Sequence, residues 1–457
     1  MEFLTVDSLE SAREKLLDNV SDWLVSEEIV ALDESLGRVA ARDIFTEEDI
    51  PTFRRSTVDG YAVLSENTAA ADESIPVFLT LKGRIEMGQP AHFSIINGEC
   101  AEVSTGGMIP EGANAVVMVE YTEELGTDAV AVGQSVAHGE NVVLPGEDAK
   151  AGDILVKRGR RILPQDIGAL AAAGVVDVPV YTSPKVTCIS TGDELVVTGK
   201  YTGECIGNSS GNSNENSNEN SNKNSLKAGQ IRDSNSHGLA ALARKHGFTV
   251  IKTSVLPDEE KLLENSVLEA MKESDIVIVS GGSSKGKKDL TKLVFDRIGK
   301  VHTHGIALQP GKPTILGFAQ EYNTILAGLP GHPVSAMMVF EQLLGWLLRK
   351  VTGTPSSPAV PAKLSCNTVS SPGRLTCHPC RLIFDEGNDV NDGNDGGNGN
   401  NGNDGSNDVG YNKGYIAEPI FGRSGLITTL TQATGYFVCH RDVEGFKEGQ
   451  IVMVHLF

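Results

Sequence analysis

Residues 275–299, DIVIVSGGSSKGKKDLTKLVFDRIG, decide the fold class. An apolar run, DIVIVS, reads as a strand, and DLTKLVFDRIG reads as a helix. A glycine- and lysine-rich loop joins them. Gly281, Gly286 and Lys287 fit the first seven positions of the nucleoside-triphosphate loop G-x-x-x-x-G-K-[ST]. Lys288 stands where that loop needs a magnesium-binding hydroxyl, so the match fails at its chemical end.

Outward from this unit, the chain alternates from Lys185. Strands KVTCIS, FTVIKTSVL, DIVIVS and TILAG are interleaved with helices DSNSHGLAALARKHG, DEEKLLENSVLEAMKE, DLTKLVFDRIG and PVSAMMVFEQLLGWLLRK. Such an order predicts an α/β domain with a mostly parallel sheet between helices, spanning 184–355. Ligands of these sheets bind at the carboxyl ends of strands. Before it, residues 1–48 read as helical, with Asp7 as cap and Glu10 three positions on. Together with RILPQDIGALAAAGV they form a discontinuous helical domain, 1–48 and 149–183. Short alternating runs such as VFLTLKGRIEMG predict an inserted β-rich domain at 49–148. The tail, 356–457, predicts a β-barrel-like domain.

At 457 residues the chain is long enough for about three domains of roughly 150 residues. Its 39 basic and 60 acidic residues give a net charge of −21, which excludes nucleic acid or an anionic membrane as the main partner. The amino terminus lacks a signal peptide pattern, and no apolar run reaches the roughly 18 residues of a membrane span. These features predict a cytoplasmic protein. Seven scattered cysteines make no disulfide framework, and Cys377-His-Pro-Cys380 reads as ordinary thiols on a strand or turn. Two low-complexity tracts, 207–225 and 388–414, read as insertions that bury no core. Deleting either Gly207–Ser225 or Gly393–Gly410 should leave folding and activity nearly intact, because loop closure costs only about 0.6 kcal/mol per doubling of length. Loss of folded protein in a thermal melt of either deletion would contradict this.

The chemistry collects on glycine-rich turns after strands: GGSSKG, QPGKP at 309–313 and LPGHP at 329–333. Backbone amides at helix starts and lysines Lys285, Lys287, Lys288 and Lys312 suit an anion. Carboxylates Asp193, Glu194, Asp258 and Asp289 sit at equivalent places. Asp258 and Asp289 stand at helix starts, where an N-cap and a magnesium ligand are both open readings.

The ordered set FRRSTVDGYAV, STGGMIPEGANAVVMVE, LPGEDAKAGD, STGDELV, GQIRDSN, GGSSKGKKD, QPGKP and LPGHPVSA resembles the molybdopterin molybdenumtransferases, the MoeA proteins related to the carboxy-terminal domain of gephyrin. The resemblance runs from the amino terminus to about residue 350. It implies insertion of molybdate, or tungstate, into adenylylated molybdopterin with Mg2+-assisted release of AMP. It also implies a homodimer whose cleft both subunits build. Asp59, Thr105, Asp148, Glu194, Asp258 and Asp289 fall on the family's catalytic positions, the last three as metal ligands. Gly281, Gly282, Ser283, Ser284, Gly286, Lys312, Pro330, Pro333 and Ser335 fall on its pterin-phosphate loops. Implied partners are an upstream molybdopterin adenylyltransferase and downstream molybdo-enzymes or cofactor carriers. Ser283, the loop lysines and His332 depart from the family's usual residues. The alternatives are a non-enzymatic gephyrin-like scaffold, a molybdopterin-binding protein, and a nucleotide hydrolase.

Overall fold

The computed structural model describes residues 6–20, 23–197, 226–281, 289–385 and 414–457. Gly282, Ser283, Ser284, Lys285, Gly286, Lys287 and Lys288 therefore lie outside the described residues, as do the tracts 207–225 and 388–413. The chain divides into two compact units, one of residues 1–27 and 181–457, the other of Glu28–Val180.

In the first unit a six-stranded sheet runs in the order Thr249–Leu256, Lys185–Thr191, Ile276–Gly281, Thr324–Leu329, Ile315–Ala319, Lys300–His304. The first four strands are mutually parallel, and the last three form antiparallel pairs. The period of two along a strand explains why the apolar runs are continuous. Ile276 and Ile278 enter the core on one face, with Leu239 and Ala243 of helix Asn235–His246 and Phe340 of helix Pro333–Phe340. Val277 and Val279 enter the core on the other, with Leu263, Val267 and Phe295 of helices Glu260–Met271 and Leu290–Ile298. Phe295 is fully buried. Phe295→Ala should therefore cost about 3–5 kcal/mol, read as a lowered calorimetric melting temperature; an unchanged melt would contradict the packing.

The helix after Lys185–Thr191 thus covers one face, and the helix after Ile276–Gly281 the opposite face. Their shared boundary is the topological switch point of the sheet, where the strand carboxyl ends leave a crevice. The tail closes a five-stranded barrel: Leu375–Asp385, Gly414–Pro419, Ala359–Leu364, Ile451–Leu456 and Gly435–Cys439, the last pairing back to the first. Ala362, Cys380, Ala417, Phe437 and Val454 fill it.

Helix over 1–48 is only partly found. Leu9–Asp18 is helical, and its Leu9, Ala12 and Leu16 pack into the α/β core. Ser8, not Asp7, caps it by accepting from the Ser11 amide at 3.1 Å. Asp7 instead binds Lys15 at 2.6 Å and the Thr303 hydroxyl at 2.7 Å. From Glu27 exposure rather than residue type alternates along the chain, and Glu27–Ala31 pairs as a strand with Asp177–Tyr181. Residues 28–48 and 149–180 share one small core, Ala40, Ile44, Val156, Ile162, Leu170 and Val180, around the helix Pro164–Ala172.

The rest of the second unit is a curled six-stranded sheet, ordered Ala115–Met118, Gly60–Val63, Glu99–Val103, Val77–Ile85, Ala129–Val132, Thr122–Leu125. Tyr61 and Val63 face one core, and Ala62 faces the other. Among the described residues no helix is long and apolar enough to cross a membrane.

Candidate active site

A cleft of about 1310 Å³ lies in the first unit at the sheet's switch point. Its lining brings together predicted positions from distant parts of the sequence: Glu194 and Asp258, Gly281, Lys312, Pro330, Pro333 and Ser335. Strand Lys185–Thr191 ends in Gly192-Asp193-Glu194, and the Glu194 carboxylate folds back over Gly192. A Cβ on Gly192 would lie 2.8 Å from Glu194 Oε2. Asp193 accepts the Asp258 amide at 3.0 Å, tying the ends of the two adjacent strands together. Asp193, Glu194 and Asp258 are exposed to solvent. The loop of Lys312 is fixed because its carbonyl accepts from the Ile306 and Thr314 amides at 3.0 and 2.9 Å, leaving the exposed ammonium in the cleft.

Gly281 pairs with Thr191 at the crevice and has φ +121°. A Cβ there would sit 2.2 Å from the Thr191 carbonyl oxygen, so only glycine fits. Thr191 is 4% exposed, lines the cleft, and its Oγ1 has no hydrogen-bond partner among the described residues. Pro333 opens the helix Pro333–Phe340, and its missing N–H falls among the amides that a helix leaves unpaired. His332, before it, shares a 2.8 Å hydrogen bond between Nδ1 and the Ser424 hydroxyl, and the Val334 amide donates to the Ser424 carbonyl at 3.3 Å.

Asp289 is half-buried and is not among the residues lining the cleft. Its Oδ1 caps helix Leu290–Ile298 by accepting from the Lys292 amide at 3.2 Å, and its Oδ2 lies 3.4 Å from His304 Nε2. Capping thus uses one oxygen. Asp289→Asn keeps the cap and removes the charge, so its melting temperature should stay near wild type. If the charge serves chemistry, turnover should fall at least about tenfold; unchanged turnover would leave capping as the whole role of Asp289.

In the second unit Thr105 donates to Asp59 Oδ1 from its amide at 2.7 Å and its hydroxyl at 3.1 Å. The Asp148 amide donates to the Ile50 carbonyl at 3.0 Å. The loops of Asp59, Thr105 and Asp148 all pack on segment 50–57, through Gly106 to Ser56 and Gly146 to Pro51. All three residues are exposed.

Sequence reasoning missed Asp233 and Asn235. Asp233 is 4% exposed, lines the cleft and accepts the Ser190 hydroxyl at 2.8 Å. Both lie in the motif GQIRDSN, which carries the resemblance, but at the start of a helix pattern neither residue stands out with a role of its own. Cys377 and Cys380 are buried, and burial pushes both thiols up to about 12, as for ordinary buried cysteines. Among the described residues no three His, Cys, Asp or Glu side chains gather as a ready metal site. The carboxylates of Glu194 and Asp258 do fit Mg2+, which takes one or two carboxylates together with substrate phosphate oxygens.

Residues 7–174 match the MoeA N-terminal region, domains I and II; 187–350 match the probable molybdopterin binding domain; and 409–457 match the MoeA C-terminal region, domain IV. A molybdopterin molybdenumtransferase of Haemophilus influenzae is 32% identical over 371 residues, covering 80% of this chain and 84% of that protein. The chain belongs to the molybdopterin molybdenumtransferase family. A second molybdopterin molybdenumtransferase, of Bacillus subtilis, is 29% identical and covers 94% of this chain and 89% of its own. The crystal structure of a MoeA molybdopterin biosynthesis protein of Pyrococcus horikoshii superposes with a TM-score of 0.71 at 32% identity, covering 99% of each chain. The molybdopterin molybdenumtransferase resemblance of the sequence motifs is thus borne out, as is the α/β and β multi-domain fold.

Proposed function

We propose that the cleft binds adenylylated molybdopterin and that the protein inserts molybdate, or tungstate, into the dithiolene while AMP leaves. One observation carries this reading: the switch-point crevice of a molybdenumtransferase-family fold collects Glu194, Asp258, Lys312 and the amino end of helix Pro333–Phe340 in one cleft. Carboxylates facing a cation-and-amide set suit a phosphoanhydride whose cleavage is metal-assisted. Glu194 and Asp258 would hold Mg2+, which when bound would polarise the phosphoryl group under attack; Asp289, outside the cleft lining, stands apart from this pair. Lys312 offsets the negative charge of the bound oxyanion or phosphate. Ser335 and the Pro330–Pro333 turn bind the phosphate side of the pterin, and Thr191 supplies a buried hydroxyl beside it.

Asp59, Thr105 and Asp148 complete the site from a second copy of the chain, so the working species is a homodimer. Light scattering at working concentration should give twice the monomer mass; a monomer would remove these residues from the mechanism. The protein works in the cytoplasm, between a molybdopterin adenylyltransferase and the molybdo-enzymes or carriers that accept its product. Incubation with adenylylated molybdopterin, Mg2+ and molybdate should release AMP, and ATP should not be turned over. ADP formation from ATP without AMP release would favour a nucleotide hydrolase.

A further inference from the structure

Proline loops leave carbonyl oxygens that no helix or sheet satisfies, and these must find donors elsewhere. The turn Pro330-Gly331 has two such carbonyls; Asn235 serves one directly and the other through the Ser280 hydroxyl. Asn235 Nδ2 donates to the Gly331 carbonyl at 2.8 Å and to the Ser280 hydroxyl at 2.7 Å. The Ser280 hydroxyl, in a residue only 2% exposed, passes the bond on to the Pro330 carbonyl at 3.3 Å. Both amide hydrogens of Asn235 are thereby used, which fixes the orientation of its side chain.

The two turns held this way approach closely. A Cβ on Gly331 would lie 3.6 Å from the Gly281 Cα, and Gly281 is itself pressed against the Thr191 carbonyl. Asn235 therefore ties the end of strand Ile276–Gly281 to the turn after strand Thr324–Leu329, from the first residue of a helix that follows strand Lys185–Thr191. These are the strand ends that frame the cleft.

We infer that Asn235 is a positioning residue that sets the spacing of the Gly281 and Pro330 turns through Ser280, and so the geometry in which the cleft presents its donors to a phosphate. The kinetic half of this inference rests on the reaction proposed above; the geometric half does not. Asp in place of Asn keeps the size and removes both donors, placing a carboxylate against the Gly331 carbonyl.

In the full-length protein, Asn235→Asp should raise hydrogen exchange at the Val334 amide, which donates to the Ser424 carbonyl, about tenfold. It should also lower the single-turnover rate of AMP release about tenfold or more, with KM changed far less. Ser280→Ala, a smaller change that keeps the fold accessible if Asn235→Asp does not fold, should produce the same rise in exchange. The double variant should be no slower than the worse single variant, because both remove one coupled unit. Exchange at Val334 equal to wild type in both single variants overturns the clamp. Rates that multiply in the double variant overturn the coupling. If the wild type itself releases no AMP, the proposed reaction fails, and exchange alone still decides the clamp.

Discussion

Glu194→Gln should lower the single-turnover rate of AMP release by about 100- to 1,000-fold while leaving the fold intact. The substitution is nearly isosteric and removes only the charge. Glu194 is exposed at the rim of the strand end, where its carboxylate lies over Gly192 and supports no core. An exposed substitution of this kind shifts stability within about 0.5 kcal/mol, or roughly 1–2 °C in a unit of this size. A structural role would produce the opposite pattern, a lowered melt with turnover preserved. Single-turnover kinetics and calorimetry on one preparation separate the two. Asp258→Asn should behave likewise, since Asp258 reaches the same cleft and its backbone contact to Asp193 does not need its own carboxylate.

Gly281→Ala should be the most destabilising single methyl group in the α/β core. Its φ of +121° is closed to L side chains, and the added Cβ would fall 2.2 Å from a backbone carbonyl that belongs to the neighbouring strand. The nearest atom is backbone, which cannot turn away as a flexible side chain could, and the Thr191 Oγ1 would lie only 2.8 Å off as well. The cost should be about 3 kcal/mol or more, a fall in melting temperature of roughly 6–12 °C. Gly168→Ala is the matched control. Gly168 lies within helix Pro164–Ala172 with open space around its Cβ position, so alanine there should stabilise by up to about 1 kcal/mol. Equal melts for Gly281→Ala and wild type would contradict the close approach at the crevice.

The parts of this molecule that were legible in its sequence are those in which burial forces a pattern. Ile276–Val279 is apolar at every position because the sheet is covered on both faces, and that pattern marks the strand end at which the crevice lies. The antiparallel strands Lys300–His304 and Ile315–Ala319 gave no such signal, since one carries two histidines and the other a glycine, and their hairpin lies at the sheet edge. The helix expected to continue toward residue 48 ended at Asp18, because pairing of Glu27–Ala31 with Asp177–Tyr181 is a contact between segments about 150 residues apart. The Asp7 cap fell to its neighbour Ser8 because Thr303 and Lys15 compete for the Asp7 carboxylate, a tertiary effect no local spacing shows.

The candidate site was legible where a polar residue stands just past a strand end or in the first turn of the helix that follows. Glu194, Asp258, Lys312 and Ser335 converge on one cleft as their positions implied. Asn235 was not legible, because its value lies in reaching two carbonyls on other turns, Ser280 being the relay to one of them. Asp289 shows the limit of residue type as a guide: a carboxylate at a helix start does cap that helix, and its second oxygen is the only part left for other chemistry.

The most direct measurement is the ratio of AMP released to molybdenum bound by pterin in a single reaction of the full-length protein with adenylylated molybdopterin, Mg2+ and molybdate. One AMP for each molybdenum incorporated, with release dependent on Glu194, is the predicted result. AMP release with no molybdenum retained by the pterin, or AMP release that Glu194→Gln leaves as fast as wild type, would contradict the assignment of this cleft.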